Sequence, residues 1–411
     1  MTNPSQFIYL WNLTDVFELE VFLKQIYLDN NSTTPLDERV LEAMLPYLKE
    51  VYGNASSVHN FGREAKTAIE EAREKIADLI GADPSEIYFT SGGTESDNLA
   101  VMGTAYYKEK KRNHVITSAI EHHAVLEAVK FLEKRNFKAD YIGTDEAGIV
   151  SADELKEKIT DQTSIVSIMH ANNEVGVIQD IASLSEIVKS KGAVFHTDAV
   201  QSAGKIKVDV NELNVDMLSM TGHKMYGPKG TGILYIRKGF KLTPLFYGGH
   251  HEKRRRPGTE NVAGIVGFAK ALELAESLRE NDHKRWAELS ELLIDGIQSK
   301  IPDVFLNGPR DARRIPSTVN LSFKAIEGES IILSLDMKGV AVSSGSACTS
   351  GSLEASHVLL AMNVPVELAQ GSIRFSLGRF TTREDIEYTI SVLPEIIERL
   401  RAMSPLYEKS N

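Results

Sequence analysis

The sequence predicts an α/β protein in which a large domain, built on a mostly parallel mixed sheet flanked by helices, is joined by a smaller α+β domain. Two observations carry this expectation. From about Ile26 to residue 240, short runs rich in β-branched and aromatic residues alternate with amphipathic stretches, the pattern of repeated βα units. After Gly258 the alternation gives way to long helical stretches and isolated strands. A length of 411 residues has room for two such domains.

Residues 1–25 read as a short surface helix or a frayed end. They hold no basic residue before Lys24 and place acids among the apolar positions, unlike a secretory or organellar signal. Residues 26–44 are expected to return to the C-terminal part, and 45–280 to form the large domain. Within it, Ile69, Ala72, Ile76 and Leu79 recur at helical spacing over 63–80, and Gly81 supplies the stop. The strands are "EIYFT" (86–90), "HVITS" (114–118), "SIVSIM" (164–169), "AVFHTD" (193–198), "DMLSM" (216–220) and "TGILYI" (231–236). Two helices follow at 261–281 and 283–300, with a hinge near 280. Then come the strand "STVNLSF", a helix at 328–338, the Ser/Gly-rich "SSGSACTSGS" (343–352), the strand "SIRFS" and a last helix at 383–402. The smaller domain is thus 281–411 together with 26–44.

Composition narrows the function. With 42% hydrophobic and 25% charged residues, the chain has the make-up of a soluble protein with a large core. A net charge of −11 argues against a nucleic-acid partner, since phosphates are neutralised by concentrated Lys and Arg. The run "KRRR" (253–256) is either a solvated loop or a local site for an anion or an acidic partner. No apolar run is long enough to cross a membrane. One cysteine excludes an intrachain disulfide, so a reducing compartment, the cytoplasm, is expected. "EHHAV" (121–125) and "GGHHE" (248–252) lack metal-ligand spacing, and no metal is expected.

Three stretches carry chemistry. In "YFTSGGTESDNLAV" (88–101) a strand meets a helix through Gly92 and Gly93. Glycines and a helix N-terminus suit a bound phosphate, although any strand-to-helix turn can be written this way. In "FHTDAVQSAGK" (195–205), Asp198 ends a buried-looking strand, where ligands of parallel sheets bind; the same residue could cap the next helix. In "SMTGHKMYGPKGTGILYI" (219–236), Lys224 sits in a tight turn between two strands. A lysine held there in a partly desolvated site can form a Schiff base, whereas alone it would read as a surface lysine. A phosphate cradle, a strand-end acid and a lysine 26 positions later together fit pyridoxal 5′-phosphate.

These stretches, with "YLDNNSTTP" (27–35), "YGNASSVHNFG" (52–62), "MHANNEVGVIQD" (169–180), "GGHHEKRRRPGTEN" (248–261) and "IRFSLGRFTT" (373–382), resemble the NifS/IscS-like cysteine desulfurases of the class V aminotransferases, in the branch that serves iron–sulfur cluster assembly. The resemblance runs from about Ile26 to Leu400 and implies the type I fold of pyridoxal-phosphate-dependent transferases. It makes Lys224 the Schiff-base lysine, Asp198 the partner of the ring nitrogen, Gln201 the partner of the ring hydroxyl, and His122 the stacking and proton-transfer residue. Phosphate binding falls to Gly93, Thr94, Thr221 and His223, with Thr259 reaching in from the second subunit of a homodimer. Asn173 and Arg374 would hold the carboxylate of L-cysteine. Thr221 departs from the more usual serine but keeps the hydroxyl. The short "SPLYEKSN" end lacks the tail some members use to dock a scaffold.

The lone thiol, Cys348, then becomes the acceptor of the substrate sulfur, forming a persulfide that an acceptor such as an iron–sulfur scaffold protein would take. Its Ser/Gly-rich surroundings suit a loop that travels between cofactor and surface; a lone cysteine otherwise reads as a small buried hydrophobe. A selenocysteine lyase or a cysteine sulfinate desulfinase would share the cofactor chemistry, and a scaffold that keeps the pocket without catalysis is the alternative of another class.

Overall fold

The expected alternation folds into one sheet because its inner strands are buried on both sides. The computed structural model describes residues 25–344, 355–405 and 407. In chain order the elements are β1 (Ile26–Tyr27), α1 (Glu38–Lys49), α2 (Asn60–Ile80), β2 (Ile87–Thr90), α3 (Gly93–Lys108), β3 (His114–Ser118), α4 (His123–Glu133), β4 (Lys138–Ile142), α5 (Ala152–Lys158), β5 (Thr163–Ser167), α6 (Ile181–Ser190), β6 (Val194–Asp198), β7 (Met217–Thr221), β8 (Gly232–Ile236), α7 (Val262–Gln298), β9 (Val304–Asn307), β10 (Thr318–Phe323), α8 (Gly328–Asp336), β11 (Val340–Ala341), α9 (His357–Ala361), α10 (Val366–Gln370), β12 (Ser372–Ser376) and α11 (Arg383–Met403).

The seven-stranded sheet runs β2-β8-β7-β6-β5-β3-β4, and β8 alone is antiparallel to its neighbours. Side chains alternate strictly between its faces. Ile116, Val166, Phe195, Leu218, Ile233 and Tyr235 join α2, α6 and the first half of α7 in one core. Val115, Ile165, Val194, Met217, Leu234 and Ile236 join α3 and α4 in another. Burial on both faces is what a parallel sheet requires. Because six strands point the same way, their carboxyl ends form one edge, and the loops leaving that edge build the site.

A second body of structure holds the antiparallel sheet β12-β10-β9 and the parallel pair β1-β11. Its core gathers Ile26 and Leu28 with residues from Trp286 to Ile397. Val40 of α1 lies in the first core, with Met44 packed against it, so the N-terminal segment touches both bodies.

The sequence suggested a break near Asn281 and Asp282, but α7 is one helix of 37 residues. The pair contains neither glycine nor proline, and the Asp282 carboxylate is taken by Arg379 Nε at 3.0 Å instead of capping a new helix. Strands β4 and β9 were not foreseen from the sequence. The first, "KADYI", is a sheet edge with only Ile142 fully buried, so it lacks the apolar run that marks its neighbours. Among the described residues no helix is long and apolar enough to cross a membrane, and no three His, Cys, Asp or Glu side chains converge as metal ligands.

Candidate active site

A cavity of about 360 Å³ opens at the carboxyl edge of the large sheet, walled on its far side by the smaller body. Of the residues singled out in the sequence, Gly93, Thr94, His122, Asn173, Asp198, Gln201, Thr221, His223, Lys224 and Arg374 line it. Thr259 does not; it is exposed in the segment before α7. Cys348 lies outside the described residues, although Ser343 and His357, on either side of that stretch, both line the cavity.

At one end the N-terminus of α3 faces the cavity with no side chain capping it. Gly92 has φ 154°, a conformation that L side chains rarely adopt, and a Cβ on Gly93 would stand 2.7 Å from Val200 Cγ2. Both glycines are therefore needed for this turn, which leaves backbone N–H groups and the hydroxyl of Thr94 beside Thr221 and His223. Burial, with Lys224 and Lys229 adding, holds the His223 pKa near 4, so its ring is neutral. Its Nδ1 is 3.2 Å from Thr33 Oγ1.

At the centre, Asp198 ends β6. Its Oδ1 accepts from Val200 N at 2.8 Å, and among the described residues no cation forms an ion pair with it. Burial raises its pKa, with Lys224 offsetting part of the rise. Asp97 and Glu121 lie beneath in the same buried network. Among the described residues neither Asp97 Oδ1, 3.7 Å from His196 Nε2, nor Glu121 Oε2 has a hydrogen-bond partner, and burial lifts Glu121 to about 8. An unpaired acid in such surroundings is costly unless a positive group arrives to meet it.

Lys224 occupies a 3₁₀ turn, Gly222–Lys224, directly after β7. Its Nζ donates to Asn31 O at 2.5 Å and Ser32 O at 2.7 Å. Burial and then Arg374 lower its pKa to about 8. Gln201 Nε2 donates to the same Asn31 O at 3.0 Å, so two donors converge on one oxygen. His122 caps α4 by accepting from Ala124 N through Nδ1, which leaves Nε2 as the N–H of the neutral ring; burial, with Lys224 and the neighbouring histidines, sets its pKa near 4.

Arg374 comes from β12, 3% exposed. It donates to Asp29 Oδ1 (2.8 Å), Ser32 Oγ (2.7 Å) and Asn173 O (3.0 Å), while its Nε has no hydrogen-bond partner among the described residues. Ser343 pairs with the backbone of the same residue. At the opposite wall, Glu174 accepts from Ser356 Oγ, the cap of α9, and His123 packs against His357 with ring centroids 4.9 Å apart. Asn31, Ser32, Glu174 and His357 were not given roles from the sequence. Only the quoted "YLDNNSTTP" and "MHANNEVGVIQD" stretches held a signal for the first three.

The donor set suits a flat, anionic, phosphorylated ligand with an acceptor oxygen: an uncapped helix end, an unpaired acid and two converging donors. The aminotransferase class-V family model matches residues 26–389. The cysteine desulfurase IscS of Dictyoglomus turgidum is 56% identical over 93% of this chain and 97% of its own. A solved NifS-like protein superposes with a TM-score of 0.86 at 41% identity, covering 92% of this chain and 100% of that one. The structure of SspA in complex with cysteine superposes with a TM-score of 0.77 at 35% identity, covering 87% and 100%. The chain belongs to the aminotransferase class-V family, within its NifS/IscS-like cysteine desulfurases.

Proposed function

We propose that the protein moves the sulfur of L-cysteine onto its own Cys348 and releases L-alanine, using pyridoxal 5′-phosphate held in the cavity at the sheet edge. The observation that most supports this is the convergence of Lys224 Nζ and Gln201 Nε2 on one oxygen, Asn31 O, in a cavity also lined by the unpaired Asp198. The cofactor's phosphate would be held by the Gly93–Thr94 backbone, Thr94, Thr221 and His223, with Thr259 contributed by a second copy of the chain. Asp198 would meet the ring nitrogen, Gln201 the ring hydroxyl and His122 the ring face, and Lys224 would anchor the aldehyde. When bound, the cofactor supplies a sink for electrons withdrawn from the substrate's α-carbon.

The remaining work belongs to the chain. Arg374 presents a fork that meets a carboxylate on two points, with Asn173 beside it, and this orients L-cysteine. Lys224, with a pKa near 8, is partly neutral at physiological pH and can carry a proton to and from the α-carbon. His122 offers a proton at Nε2. The Cys348 thiolate takes the substrate sulfur: the C–S bond breaks, an S–S bond forms, and the β-carbon gains a proton. The products are L-alanine and a persulfide, which an acceptor such as an iron–sulfur scaffold protein would receive. A single thiol that must stay reduced favours the cytoplasm. In this assignment residues 45–280 form the cofactor-binding domain, and 26–44 with 281–411 the smaller domain carrying Cys348.

Full-length protein loaded with pyridoxal 5′-phosphate tests the assignment. Borohydride reduction and peptide mapping should place the label on Lys224. Incubation with L-cysteine and a thiol should give alanine and sulfide in equal amounts, and Cys348→Ala should stop both while leaving the visible absorption. A label on another lysine, or undiminished sulfide release from the Cys348 variant, refutes it.

A further inference from the structure

Lys205 does not line the cavity, yet it is 6% exposed and in contact with Gln201. Its Nζ donates to two neutral oxygens, Gln201 Oε1 and Asn31 Oδ1, each at 2.8 Å. No ion pair is found for it among the described residues. Burial, followed by the positive charges of Lys224 and Arg374, brings its pKa down to about 7. Methionine, similar in length and volume, would fill the space without the cost of burying an amine.

A side-chain amide has an acceptor end and a donor end. With Oε1 of Gln201 engaged by Lys205, the Nε2 end has to point the other way, and it donates to Asn31 O. Asn31 is fixed in the same manner: its Oδ1 accepts from Lys205, and its Nδ2 donates to Thr318 Oγ1 at 2.8 Å and Asn173 O at 3.1 Å. One buried amine thereby sets the orientation of the two amides next to Lys224.

We propose that Lys205 is a positioning residue that locks the Gln201 amide with its NH₂ group toward the cavity, ready to donate to the ring oxygen of a bound pyridoxal group. The inference rests on the assignment of that cofactor and deepens it. A donor polarised by Lys205 draws charge from the ring oxygen. With Lys205 removed, the amide is free to turn over, the ring oxygen loses its donor, and the group that titrates in the visible spectrum becomes more basic.

The test uses full-length protein loaded with pyridoxal 5′-phosphate. Visible absorption is followed against pH in the wild type, Lys205→Met, Gln201→Leu and the double variant, with circular dichroism to verify folding. The expected result for Lys205→Met is a midpoint raised by about one pH unit or more, tenfold in the proton equilibrium. The double variant should go no further than Gln201→Leu alone, because Lys205 acts through Gln201. An unmoved midpoint in Lys205→Met overturns the inference, and so do additive shifts in the double variant, which would assign Lys205 a purely electrostatic effect. Should Lys205→Met fail to fold, Lys205→Gln takes its place, since it keeps a donor for Gln201 without the charge. Positioning then predicts a midpoint within roughly 0.3 unit of wild type, and a rise of a full unit contradicts it. A wild type that shows no visible band with the cofactor defeats the cofactor assignment itself and this inference with it, whereas a normal wild-type band with an unmoved Lys205→Met midpoint defeats this inference alone.

Discussion

Replacing Asp198 by Asn should make the cofactor-free protein more stable and the loaded enzyme inactive. The carboxylate is buried at the cavity floor and has no ion pair among the described residues, so folding raises its pKa above the unfolded value of 3.8. The sign follows from that direction. A group whose pKa is raised by folding favours the folded state only while protonated, below the unfolded value, and that advantage disappears as pH climbs through the folded value. At neutral pH the unpaired charge is therefore a net cost. Each unit of displacement is worth about 1.4 kcal/mol, so a carboxyl raised from 3.8 to about 6 costs on the order of 3 kcal/mol. Asparagine keeps the acceptor for Val200 N and removes the charge. Calorimetry of the cofactor-free proteins at pH 7.5 should show the variant melting a few degrees higher, with the gap closing at about pH 4. Alanine formation by the loaded variant should fall by about 10³-fold or more, because no acid remains to meet the ring nitrogen. A variant that melts lower than wild type without cofactor, or that keeps its activity with it, refutes the reasoning.

Three further outcomes are expected. Arg374→Lys replaces a planar fork with a point charge, so KM for L-cysteine should rise about 10- to 100-fold in steady-state assays, with the visible absorption unchanged. Glu121 has its pKa raised to about 8, chiefly by burial, so its protonated form favours the fold and that contribution fades as pH rises from about 4.5 through 8; Glu121→Gln should flatten this part of the melting-temperature profile. Gly93→Ala puts a methyl group 2.7 Å from Val200 Cγ2, and equilibrium dialysis should show cofactor affinity reduced about tenfold or more, with a loss of about 1–3 kcal/mol in stability.

Much of the site could be read from the chain because its residues sit where strands end. Asp198 closes an apolar run, Gly93 opens a helix and Lys224 is trapped between two strands, each a pattern visible over ten residues. What stayed hidden depends on distance. Asn31 and Ser32 reach Lys224 across 193 and 192 positions, through the pairing of β1 with β11 and the bridge from Asp29 to Ser376, and no local spacing encodes such a meeting. Lys205 looks like an ordinary polar residue after a helical turn, and only the fold reveals that it is enclosed. The continuity of α7 was missed for the same reason: the partner that holds Asp282, Arg379, lies 97 residues further on.

That continuity has a mechanical consequence. At 1.5 Å per residue, α7 is a rod about 55 Å long whose near half buries its own Phe268 and Leu272 in the core under the large sheet, and whose far half buries its own Trp286, Leu293 and Ile297 in the core of the smaller body. Bending it would break consecutive backbone hydrogen bonds at a point with no glycine or proline to absorb the change. The two bodies are therefore splinted, and opening and closing of the cleft cannot proceed by swinging one against the other about the middle of this rod. Under the proposed function, sulfur would then be carried to an acceptor by a shorter piece of chain moving over a stationary frame.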